Sequence, residues 1–166
     1  MKFDVDIYQL STKFMADYPI SDYPELMYKQ GRPYSCLLID THSDYFICVP
    51  YRSSIRHNNA YMFAGTQRSR KTQSGLDYTK IVIIRDGEYL DSVKAVVDQD
   101  EYKETILHIQ TIVYEVRDYV DTYIRHASGV SRIHKREYER RYRFSTLPYF
   151  HDIMGIIRKT EPVERF

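Results

Sequence analysis

The chain has 166 residues and a net charge of +1, with 43% hydrophobic and 28% charged residues. This composition is globular and long enough for one core but not two, so a single domain over 1–166 is expected. No apolar run approaches the roughly 18 residues of a membrane span. The start "MKFDVDIYQL" does not read as a signal peptide, and Cys36 and Cys48 sit in apolar stretches like buried reduced thiols, which points to a cytoplasmic protein.

In chain order, "KFDVDIY" (2–8) alternates as a first strand does. Ser11 is placed to cap a short helix over "TKFMADY", stopped by Pro19. "SDYPELMYKQGR" reads as a turn and one or two helical turns ended by Gly31. "PYSCLLID" and "DYFICVPY", separated by "THS", form a hairpin signal, and their nearly continuous apolar character predicts a central position. Residues 64–75 read as a polar loop. "TKIVIIRD" (79–86) is a further buried strand, and "RDGEYL" turns into a short one. Ile106, Ile109, Val113, Val116, Val120 and Ile124 recur every three or four positions and predict one long helix over about 99–127, ending near Gly129. A basic helix or loop over 132–143 and a short final helix in "STLPYFHDIMG" follow. Strands first and one long helix late predict an α+β fold with an antiparallel sheet.

The charge is uneven. "RIHKREYERRYR" (132–143) holds six Arg/Lys against two Glu, on a chain that also has 17 tyrosines and no tryptophan. Such a segment suits a local polyanion site or a solvated helix face paired to acids of the long helix. Tyr138 and Tyr142, interleaved in it, are candidates for stacking on splayed bases. The six histidines and two cysteines show no metal-ligand spacing, and no glycine-rich nucleotide loop is present, so neither a metal nor a cofactor is expected. Cysteine nucleophile chemistry is disfavoured because both thiols look buried.

One stretch remains, "VPYRSSIRHNN" (49–59), where Arg52, Ser53, Ser54, Arg56 and His57 leave an apolar strand together. Guanidinium forks and hydroxyls match phosphate oxygens, and imidazole ordinarily titrates near neutrality. The plain alternative is a solvated turn. In an antiparallel hairpin the start of one strand lies beside the end of the other, so Arg32 and Tyr28 are expected near Tyr51–Ser53.

Tyr28, Arg32, "PYSCLLID", "YFICVPYRSS", "HNN" at 57–59 and "SGLDYTKIVII" before a long helix resemble, in order, the toxins of type III toxin–antitoxin systems. These are the ToxN/AbiQ-like endoribonucleases, and the CptN and TenpN branches are the most similar. The resemblance implies a strongly twisted antiparallel sheet, a partly open barrel related to MazF and Kid, with helices packed on it. It implies a sequence-selective, metal-independent endoribonuclease that leaves a 2′,3′-cyclic phosphate. It also implies two RNA partners: cellular or phage mRNA as substrate, and an antitoxin of short, pseudoknotted repeats that the toxin processes and that holds it in a closed protein–RNA assembly.

By this resemblance the family's catalytic cation falls on Arg32, in place of a lysine, and its tyrosine on Tyr28. Its Thr-Ser falls on Arg52-Ser53 or Ser53-Ser54, and its next basic position on Arg56. The family's tryptophan in this turn is absent, and His57 is the candidate for its place. Arginine stays charged and moves protons poorly. The expected catalytic set is therefore Arg32, Arg52, Ser53, Ser54 and His57, with His57 as acid or base. The expected RNA-binding set is Tyr8, Tyr28, Lys29, Tyr51, Arg56, Arg68, Arg70, Lys71, Lys135, Arg136, Arg140 and Arg141. Two other readings use the same residues differently: a non-catalytic RNA- or DNA-binding module, and a protein-interaction domain whose tyrosines form the interface.

Overall fold

The computed structural model describes residues 5–29 and 33–157. The fold is α+β. Seven strands, β1 (Asp6–Leu10), β2 (Ser35–Asp40), β3 (Phe46–Arg52), β4 (Ala60–Met62), β5 (Gly75–Asp77), β6 (Val82–Ile84) and β7 (Leu90–Lys94), form one antiparallel sheet. Among the described residues there are five α-helices: α1 (Thr12–Asp17), α2 (Gln67–Thr72), α3 (Gln99–Leu107), α4 (Ile109–Ala127) and α5 (Lys135–Tyr142).

The predicted hairpin is the centre of the sheet. β2 and β3 pair from Cys36↔Pro50 to Asp40↔Phe46. The other edge of β3 is shared by β5 and β6, and Ile47–Pro50, the "ICVP" run, is buried residue after residue, as a strand covered on both faces is. Strand order is β4-β5-β3-β2-β1-β7 with β6 also on β3, so among the described residues β4 and β7 end the path and the sheet is not closed into a barrel. One apolar cluster joins Leu37, Val49 and Ile83 of the sheet to Phe14 of α1, Val116 and Val120 of α4, and Phe150 near the C-terminal end.

Three expectations are corrected. The strand over 79–86 is broken. Tyr51 pairs Leu76 and Cys48 pairs Val82, so three steps along β3 face six along its partner. The excess is a 3-10 turn, Tyr78–Lys80, capped by the Asp77 carboxylate, which accepts from the Thr79 N–H. The backbone groups it frees find other partners: Thr79 and Ile81 carbonyls accept from Thr146, and the Lys80 carbonyl accepts from the Tyr34 hydroxyl at 2.7 Å.

The helix over 99–127 is interrupted at His108, whose φ −113°, ψ 21° is not helical. The apolar period misled because Ile106 and Leu107 are exposed, while α3 buries Glu101 and Thr105. Glu101 is buried beside Arg68, and Thr105 is held by Tyr51.

The polar loop at 64–75 contains α2, begun by a capping box in which Thr66 and Ser69 each bond the other's backbone N–H. Other local signals match: Ser11 caps α1, and Gly129 (φ 75°) closes α4. Gly31 lies outside the described residues.

Candidate functional site

β3 carries Arg52 at its end, and the chain then turns sharply through Ser53–Asn59. Ser54 adopts a left-handed conformation (φ 56°). Its N–H donates to the Thr72 carbonyl, and the Ile55 N–H donates to the Gln73 carbonyl at 3.1 Å, so the turn is sewn to the end of α2. Ile55 is buried, which leaves Ser53, Ser54 and Arg56 facing outward. They line a cavity of about 340 Å3 with Arg52, His57, Asp77, Thr79, Lys80 and Glu25.

The floor of this cavity comes from the 3-10 excursion, not from the turn. Asp77, only 3% exposed, receives the Thr79 hydroxyl at 2.6 Å and His57 Nε2 at 3.2 Å, with Arg52 Nε 3.7 Å from its other oxygen. Burial pushes the Asp77 carboxyl up, but the hydrogen bonds from His57 and Thr79, together with the nearby Arg52 charge, outweigh it and hold it below the ordinary value. The backbone N–H of Asn59 donates to His57 Nδ1 at 3.1 Å. That fixes the tautomer with the proton on Nε2, and both ring nitrogens are engaged. Lys80 is 4% exposed, and its ammonium donates to Glu25 Oε2 at 2.8 Å and the Phe144 carbonyl at 2.9 Å. Three cations, Arg52, Arg56 and Lys80, thus meet two carboxylates, Asp77 and Glu25, around one recess.

The structure brings Arg52, Ser53, Ser54, Arg56 and His57 together. Arg32 lies outside the described residues. Tyr28 does not line the cavity: its hydroxyl donates to the Tyr18 carbonyl at 2.9 Å and secures the end of α1. Lys29 is exposed and Tyr8 half-buried on β1. Tyr51 turns into the core, stacked on Phe63, and donates to Thr105 Oγ1, whose own proton goes to the Glu101 carbonyl. Burial raises its hydroxyl pKa, against the Thr105 bond. Tyr51 is therefore a packing residue and offers no ring to a base.

The outlying basic residues divide. Arg68 is committed to buried Glu101, Nε to Oε1 2.7 Å. Arg141 pairs with Asp118 of α4 at 3.2 Å and lies over the Tyr119 and Tyr142 rings, and Arg140 pairs with Glu137. The ion-pair reading of the basic segment therefore holds for Arg141. Tyr142 is buried, and Tyr138 stacks on His126 at 4.6 Å, so neither is presented as a platform for bases. Arg56, Arg70, Lys71, Lys135 and Arg136 are exposed and carry no ion pair among the described residues. Arg56, Arg70 and Lys71 line a second recess of about 580 Å3 that shares Ser54 and Arg56 with the first.

Sequence reasoning missed Asp77, Lys80 and Glu25. Lys80 falls within the expected strand 79–86 and Asp77 just before it, and the one hint in the sequence is a charge on each side of "YT" beside an apolar run. Among the described residues no three His, Cys, Asp or Glu side chains gather as a metal ion requires, and no helix is long and apolar enough to cross a membrane. Comparison with known proteins gave no match among family models, curated proteins or solved structures.

Proposed function

We propose that the chain is a metal-independent endoribonuclease of the ToxN/AbiQ-like kind, a toxin that cuts single-stranded mRNA. The observation that carries this reading is the recess at the end of β3. There Arg52, Arg56 and Lys80 converge with the Ser53 hydroxyl over a carboxylate–imidazole pair. Cleavage of RNA without a metal requires little more. The 2′-oxygen bonds to phosphorus while the bond to the 5′-oxygen breaks. The 2′-hydroxyl loses one proton and the 5′-oxygen gains one, and cations carry the extra charge on the phosphorane. In this reading Arg52 and Arg56 hold the phosphate and Ser53 donates to a non-bridging oxygen. His57 exchanges a proton after releasing the Asn59 amide. Kinship with the MazF and Kid barrels, an RNA antitoxin of short repeats and a closed protein–RNA assembly belong to the same proposal.

The test is incubation of RNA with purified protein and a chelator. Wild type is expected to leave 2′,3′-cyclic phosphate ends, and Arg52→Ala, Ser53→Ala and His57→Ala to lose at least about 100-fold in rate. Full activity in all three variants refutes this site.

One observation favours a second reading, a non-catalytic RNA-binding module: both nitrogens of His57 are already engaged. A module binds RNA without cutting it and keeps its affinity in Ser53→Ala and His57→Ala.

A further inference from the structure

Lys80 and Glu25 form an ion pair of unequal partners. The Lys80 side chain is 6% exposed and that of Glu25 37%. Lys80 is anchored twice, by the Glu25 carboxylate and the Phe144 carbonyl, and an ammonium has a third N–H. Glu25 rides on a single 3-10 turn, Pro24–Leu26, followed by Met27 in a left-handed conformation, and among the described residues Lys80 is its carboxylate's one partner. A partly solvated carboxylate sits at the rim of the recess, on its most buried cation.

We propose that Lys80 is a phosphate ligand and that Glu25 occupies the place a phosphodiester oxygen of the RNA takes, as an internal competitor. The proposal rests on reading the recess as the phosphate site. An incoming phosphate replaces the carboxylate as acceptor while Phe144 keeps its bond, so the buried ammonium is never left unpaired. That avoids the large cost of stranding a buried charge. Released Glu25 has only to swing into water, where more than a third of its side chain already lies. The exchange also selects for anions: a neutral ligand cannot displace Glu25 without leaving Lys80 uncompensated.

The proposal predicts that removing both partners weakens binding although the net charge is unchanged, which a structural ion pair does not. The probe is a fluorescein-labelled, fully 2′-O-methylated RNA 12-mer pool of random sequence, which has no nucleophile and cannot be cut. Glu25→Gln is expected to bind it about 10-fold more tightly than wild type. Lys80→Met/Glu25→Gln, in which neither charge is stranded, is expected to bind about 10-fold more weakly than wild type. Its plot of log affinity against log salt should be shallower by about 0.7, one single-strand phosphate contact. Thermal melts establish that each variant is folded. Inorganic phosphate provides an arm independent of RNA, raising the melting temperature of Glu25→Gln more than that of wild type and that of the double variant less than that of wild type. A folded Glu25→Gln that binds neither probe more tightly, or a double variant that binds like wild type, overturns the proposal. If phosphate behaves as expected but RNA is neither bound nor cut, Lys80 and Glu25 stand as a site for a phosphate anion other than RNA, and the endoribonuclease reading falls. If wild type cuts RNA while Glu25→Gln is unchanged with both probes, the endoribonuclease reading stands and the proposal falls.

Discussion

The Nε2 of His57 lies 3.2 Å from Oδ1 of Asp77, while the backbone N–H of Asn59 holds the ring's other nitrogen at 3.1 Å. One imidazole thus ties the turn after β3 to the end of β5, and Thr79 of the excursion that follows joins the tie through the same carboxylate oxygen.

Removing the Asp77 charge should loosen this corner. Asp77→Asn is expected to lose about 1–3 kcal/mol in urea unfolding at pH 7, the usual cost of disrupting a buried hydrogen-bonded group. Because the folded carboxyl is held below its ordinary value, its contribution is present above the unfolded pKa of about 3.9 and fades as pH falls below it. Wild type should therefore lose more stability than Asp77→Asn between pH 5 and pH 2. Equal losses would mean that Asp77 is not depressed.

The two serines should separate cleanly. Ser54 sits at φ 56°, where glycine is favoured over an L side chain by roughly 1–2 kcal/mol. Ser54→Gly is expected to be neutral or stabilising and to keep RNA cleavage, whereas Ser53→Ala keeps stability and loses cleavage. Loss of activity in Ser54→Gly with a native melting curve would move the essential hydroxyl to Ser54.

Arg68 and its neighbours on α2 should behave differently. Arg68→Ala strands the buried Glu101 carboxylate, whose pKa burial already raises against the pull of Arg68, and should destabilise on the order of 2 kcal/mol. Arg70→Ala/Lys71→Ala removes only exposed charge, so the melting temperature should hold. The salt dependence of RNA binding should fall by about 1.4 if each cation meets one phosphate. A salt slope unchanged by the pair would remove them from the RNA path.

Gly75 holds the β4 edge in place. A Cβ there would lie 2.2 Å from the Tyr61 carbonyl oxygen, a backbone atom that cannot step aside without breaking the β4–β5 ladder. Gly75→Ala should cost several kcal/mol, about 3 or more by analogy with other core overpacking, read from urea unfolding. An unchanged midpoint would show that β4 can separate from β5 at no cost.

Where a feature depended on local backbone chemistry, it was legible. Ser11, Gly129 and the "THS" turn act through neighbours a few residues away, and the apolar runs of β2 and β3 report burial directly. The failures share a different cause. Ile106 has the period of a core helix, but the tertiary partners Arg68 and Tyr51 select the Glu101–Thr105 face instead. Tyr51, Tyr138 and Tyr142 carry the ring a nucleotide would stack on. Whether a ring is offered or buried depends on what packs over it, which spacing does not encode.

The amino-acid sequence by itself determined an α+β chain with a central apolar hairpin and a basic, hydroxyl-bearing turn at the end of its second strand. Those properties follow from side-chain alternation and local dihedral preference. Only the tertiary structure decided that β3 would be flanked by an interrupted partner. The three-residue excess in that partner, Tyr78–Lys80, leaves the ladder and brings Thr79 and Lys80 into the recess beneath Arg52 and His57, beside Asp77 at the end of β5. A register mismatch is a relation between two strands, and no stretch of either one contains it.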